Sequence, residues 1–169
     1  MRWPTCMFLL ISVQAFGADF RVLDFGRSCT SVREREEGLG SKQIAWNPSG
    51  AEFLAFEAQE FDRQVSILYF CPKGSLFTGN YFFPLEDLDA ALRSLRAVYD
   101  NLNSLHGRPF LDSTPWEKYA DPRFVMADPR KYTVTWRASR IRTTISLAPG
   151  HDRSDSTWQV FVVLGRNKE

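Results

Sequence analysis

The sequence predicts an α+β fold: one antiparallel sheet with a short and a long helix packed on one face, built as two α-β-β-β units. Three observations point there. Apolar residues alternate with period two in several separate segments, the signature of half-buried strands. One long stretch, Leu85 to His106, repeats its leucines at threes and fours instead. Pro- and Gly-containing breaks separate the segments at hairpin spacing. Strands, a long helix and more strands in that order give an α+β layer arrangement.

The centre of the fold is Arg63 to Pro84, RQVSILYFCPKGSLFTGNYFFP. Val65, Ile67, Tyr69 and Cys71 fall on one side of an extended chain, and Leu68 and Phe70 on the other. A strand apolar on both faces belongs inside a sheet. Pro72-Lys73-Gly74 reads as a three-residue hairpin loop ending in a left-handed glycine. That loop pairs Cys71 with Ser75, Tyr69 with Phe77 and Val65 with Tyr81. Pro84 cannot donate to a ladder and ends the second strand.

Taken in order, residues Met1 to Gly17 read as a secretory signal. Arg2 gives a basic start, Met7 to Val13 a short apolar core, and Ala15-Phe16-Gly17 a cleavage site. The apolar run is too short to span a bilayer. Residues 18–169 then form one domain, secreted or periplasmic, near charge neutrality once Arg2 is removed. That balance gives no electrostatic case for nucleic acid or an anionic membrane. Cys29 and Cys71 remain after cleavage, and export makes a disulfide between them the expected pairing, with two buried thiols as the alternative. A loop of that length would contribute roughly 4 kcal/mol in the chain-entropy model.

Phe20 to Phe25 is a candidate first strand. Thr30 to Glu37 follows as a short helix, with Ser31 and Glu34 at capping-box spacing. The proposed disulfide places this helix on the Val65–Cys71 face. Asn47 to Gly50 is a turn, Phe53 to Ala58 a strand, and Gln59 to Asp62 a connection. In the long helix, Leu85, Leu88, Leu92, Leu95, Tyr99 and Leu102 form the stripe, with acids at its start and Gly107 at its end. Phe110 to Lys131 reads as an ordered loop or broken strand. Tyr132, Val134 and Trp136 alternate, as do Ile141, Ile145 and Leu147, giving a second hairpin that turns near Ala138-Ser139. Pro149 to Ser156 is a polar loop, and Thr157 to Leu164 the last strand, with Trp158, Val160, Val162 and Leu164 on one face.

The opening FRVLDFGRSCTSVREREE, the strand VSILYFCPKGSLFTGNYFF and the long helix ending at Gly107-Arg108-Pro109 carry a resemblance. So do the later tryptophan, Trp116 or Trp136, and the closing β-meander. Together they resemble small exported bacterial proteins of unknown role. The helix-then-strands repeat is also similar, at the level of fold, to secreted β-lactamase inhibitor proteins and to outer-membrane assembly lipoproteins. This chain lacks the lipid-bearing cysteine of the latter.

Chemistry finds little footing. His106 sits at a helix end, where the dipole accounts for it, and His151-Asp152 has no further ligands at metal-binding spacing. There is no G-x-S-x-G elbow and no phosphate loop, and the expected disulfide would leave neither cysteine as a nucleophile. No metal or cofactor is implied. The one suggestive patch is Trp136-Arg137-Ala138-Ser139-Arg140-Ile141-Arg142, where Arg137, Arg140 and Arg142 crowd a hairpin tip near Trp136. Arginine and tryptophan are favoured at interfaces, and edge arginines also discourage strand pairing. Trp116 and Tyr119 are a second candidate surface, the alternative being aromatics folded down over the core. The want of a catalytic motif and the rigid, disulfide-stapled sheet point to an exported module that binds another exported protein, as an inhibitor, an immunity-type partner or an envelope accessory. A carrier of a small apolar or anionic ligand between helix and sheet is the alternative.

Overall fold

The computed structural model describes residues 21, 24–45, 52–60, 63–116, 132–138, 140–150 and 157–166. Among these, nine strands form one antiparallel sheet and two helices cover one of its faces. The elements are α1 (Cys29–Gly38), β1 (Lys42–Ile44), β2 (Phe53–Glu60), β3 (Arg63–Phe70), β4 (Thr78–Phe82), β5 (Glu86–Asp87), α2 (Leu88–His106), β6 (Leu111–Asp112), β7 (Thr133–Ala138), β8 (Ile141–Pro149) and β9 (Thr157–Arg166). The strand order is β1-β2-β3-β4-β9-β8-β7-β6, and β5 adds to the end of β9.

The chain therefore runs twice through one plan. A helix is followed by a short edge strand and three longer strands, each antiparallel to the last. The final strands of the two halves, β4 and β9, pair at the centre, from Thr78↔Gly165 to Phe82↔Phe161. This is the expected pair of α-β-β-β units, each with one extra short strand at its outer edge.

One row of side chains crosses the helix-covered face from side to side: Phe56, Ile67, Tyr81, Val162, Ile145 and Val134. All six are buried, Phe56, Ile67, Val162, Ile145 and Val134 completely. Such a row follows from the pleat, because cross-strand partners project to the same side. Helix α2 lies over β7, β8 and β9 and buries Leu92, Leu95 and Leu102 of its predicted stripe, and Val98 beside them. Leu85, the first residue of that stripe, is exposed and precedes the helix. Asp87 is the N-cap, its carboxylate accepting from the Ala90 N–H. Gly107, at φ 73°, ends the helix. Helix α1 lies over β1 and β2. Its cap is Ser28 rather than Ser31: the Ser28 hydroxyl accepts from the Ser31 N–H at 3.2 Å.

The central hairpin forms with a different register. Tyr69 pairs with Gly79 and Ile67 with Tyr81. The cause lies outside the hairpin. Ser75 leaves the ladder to bridge Ser28, and Leu76 exchanges backbone hydrogen bonds with Gly26 and Arg27 while burying its side chain. The slip is two residues, so each side chain keeps its face. The chain before α1 differs as well: Phe25 and Gly26 form a turn, not the end of a strand. The Asn47–Gly50 turn lies outside the described residues, as does half of the Phe20–Phe25 strand.

Truncating Leu95, fully buried between α2 and the sheet, to alanine should destabilise the fold by about 2–5 kcal/mol in urea denaturation. The same change at Leu105, 69% exposed on that helix, should stay within about 0.5 kcal/mol.

Candidate functional site

The first polar cluster holds the structure together. Glu36 projects from α1 into the core and is fully buried. A buried carboxylate is tolerated only when it is paired and hydrogen-bonded. Here Arg21 Nε lies 2.9 Å from Glu36 Oε1, the Tyr69 hydroxyl donates to the same oxygen, and the Ser41 hydroxyl donates to Oε2. Arg21 also bridges to Glu60 at the end of β2. Burial holds the Glu60 carboxyl above its ordinary value; Arg21 opposes this and the Glu36 charge adds to it. Burial, then the neighbouring Glu36 charge, pushes the Tyr69 hydroxyl up, so it stays protonated and remains a donor. Burial and the Glu60 charge do the same to Tyr81. The cluster clamps α1 and the residue-21 segment onto β2 and β3. It is closed, each Glu36 oxygen already accepting from the protein.

The second cluster ties the two halves. Arg63, at the start of β3, reaches both Glu86 and Ser94, and the Ser94 hydroxyl donates to Glu86 Oε2 at 2.7 Å.

The hairpin tip is arranged by the pleat. Trp136 turns onto the helix-covered face, where it is 1% exposed. Its indole N–H donates to the Gly107 carbonyl at 2.9 Å, and its ring stands 5.6 Å from that of Tyr99. Trp136 is thus a core residue. Arg137 and Arg142 are cross-strand partners on the other face, and Arg140 sits in the turn, all three exposed. The patch read as one from the sequence is divided between the two sides of the sheet. Trp116 belongs with α2: its ring lies 4.6 Å from Tyr99, its N–H donates to Asp112 at 2.7 Å, and the Arg96 guanidinium lies 4.9 Å over it. Tyr119 lies outside the described residues, as does His151-Asp152.

The helix-free face carries a feature missed in the sequence. The row Phe53, Phe70, Thr78, Gly165, Arg142, Arg137 crosses six strands. Its left end is aromatic: Phe53 and Phe70 lie 5.0 Å apart, and Phe77, 55% exposed, meets Phe70 edge-on at 6.1 Å. Its right end is cationic. The Arg137 guanidinium stacks 3.8 Å from the centroid of Phe110, which holds it in place. Between the ends the floor is low, and a Cβ built on Gly165 would meet nothing within 4 Å. Among the described residues neither helix lies on this face, and no carboxylate pairs with Arg137, Arg140 or Arg142. Phe53, Phe70 and the arginines are far apart in the chain, so only the register brings them into line.

Cys29, in the first turn of α1, and Cys71, just after β3, are present as thiols and approach to 2.7 Å. Burial, then the contact with Cys29, pushes the Cys71 thiol up. Among the described residues no group of His, Cys, Asp and Glu has metal-binding geometry, and no helix is long and apolar enough to cross a membrane. The chain matches no family model, and neither a curated protein nor a solved structure matches it.

Replacing Tyr69 with phenylalanine removes one donor from buried Glu36 and should destabilise the fold by about 1–3 kcal/mol in urea denaturation. Glu60 gives a pH signature. Its folded value is raised above 4.5, so its contribution is full below that pH and lost as pH rises through the folded value. Stability of Glu60→Gln relative to the unsubstituted protein should therefore be higher at neutral pH than at the ordinary value of 4.5. Paired denaturation curves check the sign.

Proposed function

We propose that this chain is an exported, non-catalytic module that binds another exported protein through the helix-free face of its sheet. The observation that carries the reading is the cross-strand row with phenylalanines at one end and, at the other, arginines that meet no carboxylate among the described residues. Directly opposed like charges such as Arg137 and Arg142 weaken a sheet. Among the described residues no carboxylate offsets this repulsion, only the stacking of Arg137 on Phe110, which favours a use outside the fold. Aromatic side chains and arginine are also the residue types that carry binding energy at protein interfaces.

The opposite face supports surface binding over carriage of a small ligand. Trp136, Tyr69, Tyr132, Phe56 and Phe83, all fully buried, occupy the space beneath the helices. The polar clusters there are engaged with each other rather than turned toward an opening.

Export rests on the basic, apolar and small-residue order of Met1 to Gly17. In an oxidising compartment the adjacent Cys29 and Cys71 close as a disulfide that pins α1 to the end of β3. Under non-reducing conditions the exported protein should then take up no alkylating reagent at either cysteine; uptake at both would remove the tether. Capture from the exported fraction should recover a partner with the unsubstituted protein and lose it with the triple change of Arg137, Arg140 and Arg142 to alanine. Equal recovery by both would place binding elsewhere, and recovery of nothing would count against the reading itself.

A further inference from the structure

We propose that the helix-free face binds an extended segment of its partner that runs across the strands, carrying an apolar side chain at one end and carboxylates about four residues away. This rests on the protein-binding reading above and adds what the bound segment must look like.

The direction follows from the backbone. Strands β3, β4, β9 and β8 each have a paired neighbour on both sides, so none can accept an added strand. The outer strands β1 and β6 are three and two residues long and offer little ladder. Recognition at the centre therefore goes through side chains alone. Those side chains are graded across the strands, from Phe70 through Thr78 and Gly165 to Arg142. A segment lying along the strands would meet only one end of that gradient. One lying across them meets both.

The spacing follows from sheet geometry. Phe70 on β3 and Arg142 on β8 are separated by three strand steps, or about 14 Å at about 4.8 Å each. An extended chain rises about 3.3 Å per residue, so about four residues cover the distance. At the cationic end Arg142 and Arg137 stand side by side, and Arg137 is already oriented on Phe110. Two planar guanidinium groups so placed fit a pair of carboxylates better than one. At the aromatic end, Phe53, Phe70 and Phe77 form the cradle for an aliphatic or aromatic side chain. The overall charge is near balance, with 21 basic and 20 acidic residues. The cations of the row, Arg142 and Arg137, stand at one end and phenylalanines at the other, so a short acidic segment fits it better than a long polyanion.

The test is selection of a phage library of random short peptides on the unsubstituted protein, followed by binding of the enriched peptides to variants. Enriched peptides should carry two acidic residues about four positions from an apolar one. Arg137→Ala with Arg142→Ala should weaken them by roughly ten-fold or more. Phe70→Ala should do the same, and so should Gly165→Tyr, which fills the floor without touching a charge. Arg137 and Arg142 are exposed and Phe70 and Gly165 half-buried, and an unaltered thermal transition would confirm that each variant folds. Enriched peptides that lack acids, or that bind every variant equally, would overturn this site. If capture from the exported fraction still recovered an arginine-sensitive partner, the protein-binding reading would survive that result. No enrichment together with no captured partner would sink both. Tight binding of a single-stranded oligonucleotide, abolished by the same arginine changes, would overturn the peptide in favour of nucleic acid.

Discussion

Everything in this fold depends on the antiparallel seam between β4 and β9. Each half is a helix on an antiparallel meander. Pairing Thr78–Phe82 with Phe161–Gly165 joins the meanders into one layer. The seam is extended past β4 by the Phe83 N–H donating to the Val160 carbonyl and by the Gln159 side chain donating to the Phe83 carbonyl. Only then does a single row run from Phe56 to Val134 beneath both helices. β4 and β9 are far apart in sequence, so this contact closes a long stretch of chain. The reward is apolar burial on one side and a long, stiff surface on the other.

The charged cluster under α1 shows how specificity is set in such a layer. Helix α1 has a weak apolar stripe, with Val32 and Glu36 as its buried residues. A helix of that kind gains little from hydrophobic packing and needs another means of fixing its position. The ion pair of Glu36 with Arg21, sharing oxygens with Tyr69 and Ser41, supplies position at the expense of desolvation. It can be satisfied only in one register of helix on sheet, whereas leucines would tolerate several. The proposed Cys29–Cys71 tether would act at the other end of the same helix, so two fixed points would define its axis.

How much of this was legible in the sequence depends on the range of the interaction. Period two over Val65–Tyr69 and Tyr132–Trp136, and the three-four repeat of the long helix, assign each residue a face without knowledge of its partner. These readings hold in the structure. The register of the central hairpin did not follow, because Ser75 and Leu76 are claimed by Ser28, Gly26 and Arg27, some fifty residues earlier in the chain. Strands β1, β5 and β6 are two or three residues long and have no alternation to detect. Glu36 sits in the run REREE, which reads as a solvated face until Tyr69 is placed above it. Ser28 and Ser31 are separated by one helical turn and carry the same hydroxyl, so local rules could not choose the cap.

The arginine tip shows the same limit from the functional side. Trp136 and Arg137 are neighbours in sequence, and proximity suggested one patch. The alternation that makes Trp136 a core residue also sends Arg137 to the opposite face. Its true neighbours there are Arg142, one strand away, and across two residues of low floor the phenylalanines of β2 and β3. In a β-sheet, surface chemistry is composed along rows perpendicular to the chain. A candidate interface in such a protein becomes visible only when the register is known. Here the register comes from the seam, so the same long-range pairing that closes the core also assembles the surface that we propose for binding.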